Sequence, residues 1–173
     1  MLRDGALGLV RIEHEKLIGW IIGLGVRLGL IPPQRYGHVY MIFRDNADRW
    51  RVVEATAPKV RLRPLTPRDL AICDFYDVPD ADAYQRADAV NYALSQTGKW
   101  YGIAGVMAFA VYRLWCLLAG IQPAQKATWY CTELAATAWR AVGVCLLPDC
   151  RVQYTLSDEL ADSPKTKQIR AAT

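Results

Sequence analysis

Histidine is scarce in this chain. His14 and His38 are the two in 173 residues, so chemistry that needs an imidazole base has a short list of candidates. The five cysteines, Cys73, Cys116, Cys131, Cys145 and Cys150, form no C-x-x-C pair and have no histidine at metal-ligand spacing. This excludes the common zinc motifs, and no metal or cofactor is expected. Their odd number also argues against a closed disulfide framework, and a reduced chain with free thiols is expected. Charge of one sign never accumulates: 21 basic and 17 acidic residues are scattered to give a net charge of +4. Without a basic run interleaved with aromatics, nucleic acid is not an expected partner. There is no internal repeat or low-complexity tract. The first five residues carry mixed charge and lead into neither a compact apolar core nor a small-residue cleavage site, so no secretory signal is expected and the chain is read as cytoplasmic as synthesised.

Apolar residues, by contrast, make up 53% of the sequence, enough for one domain over 1–173 with a single sizeable core. Two apolar stretches approach the length of a membrane span. Leu17 to Ile31 is shorter than the roughly 20 residues required, is rich in glycine and contains Arg27, and it reads as a buried helix. The stretch from Gly102 to Ile121 is long enough, but Arg113 near its middle is costly in hydrocarbon. It is read as an apolar helical insertion in the core or facing a partner, with membrane contact as the alternative.

Periodicity orders the remaining elements. Leu7 to Glu13 alternates loosely as a first strand, and His14 to Leu30 has helical spacing until Pro32 and Pro33 stop it. Gly37 to Phe43 and Trp50 to Ala55 read as a hairpin around the turn residues Asp45 to Asp48. Val60 to Leu65 and Leu70 to Val78 read as two more strands, separated by the turn region of Pro64 and Pro67. From Asp80 the spacing of Ala83, Ala87, Val90, Ala93 and Leu94 predicts a helix that stops near Gly98. Another helix carries Leu134, Ala135, Ala138, Trp139 and Val142 on one side and ends at Gly143. After Val152 an extended piece leads into one helical turn from Leu156, and Lys165, Lys167 and Arg170 read as a solvated end.

Cys131 falls in the first turn of that second helix. Backbone N–H groups there lack partners and the helix dipole is positive, which lowers a thiol pKa and supplies donors for an oxyanion. The competing reading is a small buried apolar side chain, the usual state of a free cysteine, and it is kept for the other four. A thiol nucleophile needs a base. His14 lies between Glu13 and Glu15 and reads as a surface residue, whereas His38 opens an apolar strand where a polar ring is expensive without partners. Glu54, on the next strand of the hairpin, can hold the second ring nitrogen and fix its tautomer. An edge carboxylate facing water is the alternative for Glu54.

Together these residues resemble a known family. His38 and Val39 on one strand, Val52 to Thr56 on the next, Trp100, Tyr101 and Gly102, and then Tyr130 to Leu134 on a helix are similar to the permuted NlpC-type, papain-like cysteine hydrolases, in particular the YiiX-like group. Ordinary papain-like enzymes run cysteine, histidine, polar residue. The permuted group runs histidine, polar residue, cysteine, as His38, Glu54 and Cys131 do. The resemblance extends from about Gly8 to Pro164 and takes in the closing segment Thr155 to Pro164.

The resemblance implies an α+β, circularly permuted papain-like fold, with the nucleophile helix packed on a small antiparallel sheet, and a hydrolase of amide, thioester or ester bonds that works through a thioester. Tyr101 matches a family tyrosine position, although many relatives have Asp where this chain has Gly102, and Tyr130 is a further side chain expected to line the site. Peptidoglycan peptide bonds are one expected substrate, reached through a phage tail or lysis apparatus. Lipid-linked amides or esters are another, in keeping with the apolar stretches. The rival is a non-catalytic binding or assembly module on the same frame.

Overall fold

The computed structural model describes residues 1–14, 27, 32–100, 130–150, 152 and 155–170. Almost all of the expected helix 14–30, the apolar stretch 102–121 and Tyr101 lie outside them. Among the described residues no helix is long and apolar enough to cross a membrane.

A six-stranded antiparallel sheet organises the chain. Its strands are β1 (Leu7–Arg11), β2 (Tyr36–Arg44), β3 (Trp50–Ala55), β4 (Val60–Pro64), β5 (Cys73–Asp77) and β6 (Lys167–Ile169), in the spatial order β4-β3-β2-β1-β5-β6. The helices are α1 (Pro67–Ile72), α2 (Ala83–Ser95), α3 (Cys131–Ala141) and α4 (Ser157–Ala161), and a 3-10 turn, Ile12–His14, follows β1. The mixed α+β class and the hairpin follow the alternation in the sequence.

That alternation gives the sheet two apolar faces. Leu7, Leu9, Val39, Met41 and Val53 point to the side where Val90 and Ala93 of α2, Leu134 and Trp139 of α3 and Leu160 of α4 complete the main core. Val10, Tyr40, Ile42, Val52 and Phe75 form a second, smaller cluster on the other side, closed by Leu65, Leu70 and Ile72. On that side Tyr40 lies across Gly8, its partner in the β1–β2 ladder, and a Cβ on Gly8 would sit 2.2 Å from the Tyr40 ring. Only glycine leaves room for the ring to lie flat on the sheet.

Three expectations need correction. Leu70 to Ile72 are helical, not the start of a strand. Thr66 caps α1, with its hydroxyl accepting from the Asp69 N–H and the Asp69 carboxylate accepting from the Thr66 N–H, and Pro67 occupies the first turn. These local bonds outweigh the apolar pattern. The end of the chain is not simply a solvated tail, because Lys167–Ile169 pairs with β5 and lays Ile169 against the second apolar cluster. Backbone pairing is indifferent to side-chain charge, so the pattern of the segment gives little sign of it. Finally, the thiols are not all free: Cys145 and Cys150 are joined in a disulfide. A backbone turn, Cys150 N–H to Leu147 carbonyl, with Cys150 at positive φ, brings them together after α3. Cys73 and Cys131 are free.

Candidate active site

The site forms where β2 and β3 separate. Their ladder runs from Arg44↔Trp50 to Met41↔Val53 and stops there, while β2 continues towards Tyr36 paired with β1 alone. Backbone N–H groups alternate sides along a strand. That of Ile42 turns to β1 and bonds the Ala6 carbonyl at 2.9 Å, so that of Val39, three residues earlier, turns to the side β3 has left. There it faces the sulfur of Cys131 and lowers the thiol's pKa.

Cys131 is the first residue of α3, and Tyr130, at its N-cap, makes no side-chain capping bond. By contrast, Thr66 and Asp82 cap α1 and α2 through their side chains. The first-turn N–H groups of α3 are therefore not consumed by a side-chain cap, and that of Thr132 helps to lower the thiol's pKa. The helix stays seated because its opposite face, with Leu134, Ala135, Ala138 and Trp139, is buried in the main core.

His38 precedes this point by one residue, following a slip in the β1–β2 register that leaves Gly37 without a partner. Its side chain is 8% exposed and that of Glu54 is 3% exposed, so both polar groups need partners. Nε2 of His38 lies 3.1 Å from Oε2 of Glu54. With Nε2 engaged, Nδ1 is the nitrogen left for the Cys131 thiol. Nδ1 is buried and forms no hydrogen bond, and the thiol lies close enough that ring and sulfur each shift the other's protonation.

The electrostatics follow from this contact. Burial disfavours charge on both groups, but the proximity of the sulfur and the hydrogen bond of Glu54 raise the His38 pKa to about 10. Burial likewise opposes the thiolate, yet the imidazolium and the Val39 and Thr132 N–H groups bring the Cys131 pKa below its ordinary value. Glu54 is held well below the usual carboxylate range: burial opposes its ionisation, and bonds from His38 and Arg63 overcome that. Both shifts favour a thiolate beside an imidazolium over the neutral pair.

Of the residues expected from the sequence, Cys131, His38 and Glu54 come together, and Tyr130 precedes Cys131 at the N-cap of α3. Tyr101 lies outside the described residues. His14 is at the surface, 3.3 Å from Glu13, and Cys73 is buried elsewhere, under the Tyr40 hydroxyl at 3.1 Å, with burial pushing its thiol up to about 12. Sequence reasoning passed over the arginines on Glu54. Arg61 donates to Oε1 at 2.8 Å and Arg63 at 2.9 Å. Their i, i+2 spacing on the strand after Glu54 was the available signal.

A solved structure, that of the metalloprotein YiiX from Escherichia coli O157:H7, of DUF1105, superposes on this chain with a TM-score of 0.53 over 96% of each chain. This chain is YiiX-like in fold. The identity to YiiX is 15%, so the likeness to YiiX speaks to architecture and leaves chemistry to be argued from the residues. No protein-family model and no curated protein sequence matches the chain.

Proposed function

We propose that this chain is a cysteine hydrolase on a circularly permuted papain-like, NlpC-type frame, cleaving an amide or related acyl bond through a thioester. The observation that carries the reading is the buried contact of Cys131 with a His38 ring whose far nitrogen is held by Glu54. Each pKa moves in the direction a thiolate–imidazolium pair requires.

The thiolate attacks the carbonyl carbon, and the carbonyl oxygen takes up the negative charge beside the first N–H groups of α3. Removing one donor to such an oxyanion costs about 3 kcal/mol in well-studied hydrolases. Collapse breaks the bond to the leaving amine or alcohol, which takes its proton from His38 and departs, leaving the acyl group on sulfur. Neutral His38 then accepts a proton from water as the water attacks the thioester. Carboxylic acid is released, and the thiolate and imidazolium are restored. Glu54 keeps the ring in place and balances its charge throughout.

YiiX is described as a metalloprotein, and a metal does not fit here. Among the described residues no three His, Cys, Asp or Glu side chains group to hold one. The carboxylate nearest the site already serves His38, Arg61 and Arg63 through its two oxygens.

Zymography on cell wall, run beside a hydrolysis assay on lipid amides and esters, tests the reading with the full chain and Cys131→Ala. Turnover in one assay that vanishes with Cys131→Ala supports it and names the acyl donor. Absence of turnover in both, with alkylation at Cys131 following the pH profile of an ordinary thiol, would assign the chain to non-catalytic binding instead.

A further inference from the structure

Glu54 is gripped from the side away from His38. On β4, Arg61 stands directly across from Glu54 and Arg63 across from Val52, which puts Arg63 in the diagonal position that long side chains can reach. Arg63 Nε donates to Glu54 Oε1 at 2.9 Å and Nη2 to Oε2 at 3.4 Å. The other edge of the same guanidinium meets Asp69, with Nη1 to Oδ2 at 2.7 Å and Nη2 to Oδ1 at 2.9 Å. Its plane sits over the Tyr40 ring, 5.3 Å from the centroid. Asp69 is itself fixed, since the Thr66 hydroxyl donates to it at 2.6 Å and the Thr66 N–H at 2.8 Å, where α1 begins.

We propose that Arg63 is a positioning residue for the cysteine site: anchored by Asp69 and Tyr40, its guanidinium fixes the rotation of Glu54 so that Oε2 is presented to His38. The inference rests on the hydrolase reading and adds to it a support running from the cap of α1 to the nucleophile. Arg63 touches neither His38 nor the sulfur by any bond seen here, and it acts through Glu54. Arg61 differs. It is 57% exposed and bonds one carboxylate oxygen, so water can replace much of what it does.

The chemistry requires arginine at 63. A planar fork can hold two carboxylates in fixed orientations at once, whereas a lysine ammonium keeps the charge and loses the direction. Among the described residues, the charged and titratable groups around Glu54 and His38 are Cys131 from α3, Arg61 and Arg63 from β4, Asp69 from α1 and the Tyr40 phenol from β2. Arg63→Lys leaves that set of charges unchanged, so any shift in the site reports orientation.

The test is the pH dependence of Cys131 alkylation by iodoacetamide, set beside the His38 ring titration by NMR, in the full chain, Arg63→Lys and Arg61→Lys. With Arg63→Lys, the acid limb of alkylation moves up towards an ordinary thiol and the His38 transition moves down. Turnover falls about tenfold, part of the ~10²–10⁴ a positioned base contributes, and Arg61→Lys moves the profile much less. A profile for Arg63→Lys that overlays the unaltered chain overturns the role of Arg63 and leaves the hydrolase reading standing. An ordinary thiol profile in the unaltered chain overturns both. Should Arg63→Lys fail to fold, Asp69→Asn loosens the same fork from its other end. The same shifts in smaller amount support the proposal, and an unmoved profile overturns it.

Discussion

Oε2 of Glu54 lies 3.1 Å from Nε2 of His38 although the two residues sit beyond the last rung of the β2–β3 ladder. Continuing the register past Met41↔Val53 would set Glu54 opposite Tyr40, so the carboxylate reaches diagonally along the opening to a ring two residues further on. The separation of the strands that makes this reach necessary also admits the sulfur of Cys131.

Thiol labelling separates the cysteines. Iodoacetamide at neutral pH should modify Cys131 well before Cys73, because one thiol is drawn below its ordinary pKa by the imidazolium and the other is pushed up to about 12 by burial. Peptide mass mapping reads the order, and Cys145 and Cys150 should label after a reductant is added. Faster labelling of Cys73 would remove Cys131 as the nucleophile.

Turnover should trace a bell against pH. On the acid side it rises as the thiolate forms, at a pH below the 9.0 of an unperturbed thiol. On the alkaline side it falls at about 10, where His38 loses the proton that the leaving group needs. An alkaline limb between pH 6 and 7 would mean that the ring is not held by Cys131 and Glu54 as described.

Glu54→Gln should lower turnover by about 10²–10⁴-fold and reduce stability by on the order of 1–3 kcal/mol, since Arg63 loses half of an ion pair. The acid dependence changes as well. A carboxyl whose pKa is depressed in the folded state contributes stability that is present above its unfolded value of 4.5 and lost as pH falls towards the folded one. Urea unfolding of Glu54→Gln should therefore decline less between pH 5 and 3 than that of the unaltered chain; parallel curves would show that Glu54 carries no such linkage.

Gly8→Ala is expected to destabilise the fold by about 1–3 kcal/mol. The new methyl would stand 2.2 Å from the Tyr40 ring, which must then move from beneath the Arg63 guanidinium and from Cys73. Thermal melting measures the loss, and Tyr40→Ala in the same background should recover part of it by freeing the space. Equal melting of Gly8→Ala and the unaltered chain would show that the ring yields without cost.

Several parts of the site were legible because their signals are local. A cysteine opening an amphipathic helix, two histidines of which one lies in an apolar strand, and a glutamate on the next strand of a hairpin are all visible within a few residues of themselves. The helix Pro67–Ile72 also has a local signal, the Thr66–Asp69 cap, which outweighs the apolar run around it.

The sequence alone determined the alternation that builds a two-faced sheet, the start of the helix that opens with Cys131 and the difference between a histidine in an apolar strand, His38, and one at the surface, His14. These depend on periods of two and 3.6 residues and on which side chains can bear burial. Only the tertiary structure decided that β3 leaves β2 at Met41, that Arg63 and Asp69 stand behind Glu54, that Cys145 meets Cys150 and that Lys167–Ile169 closes an edge of the sheet. Backbone pairing and ion pairs are satisfied by whichever partner the fold delivers, and that choice leaves no period in the chain.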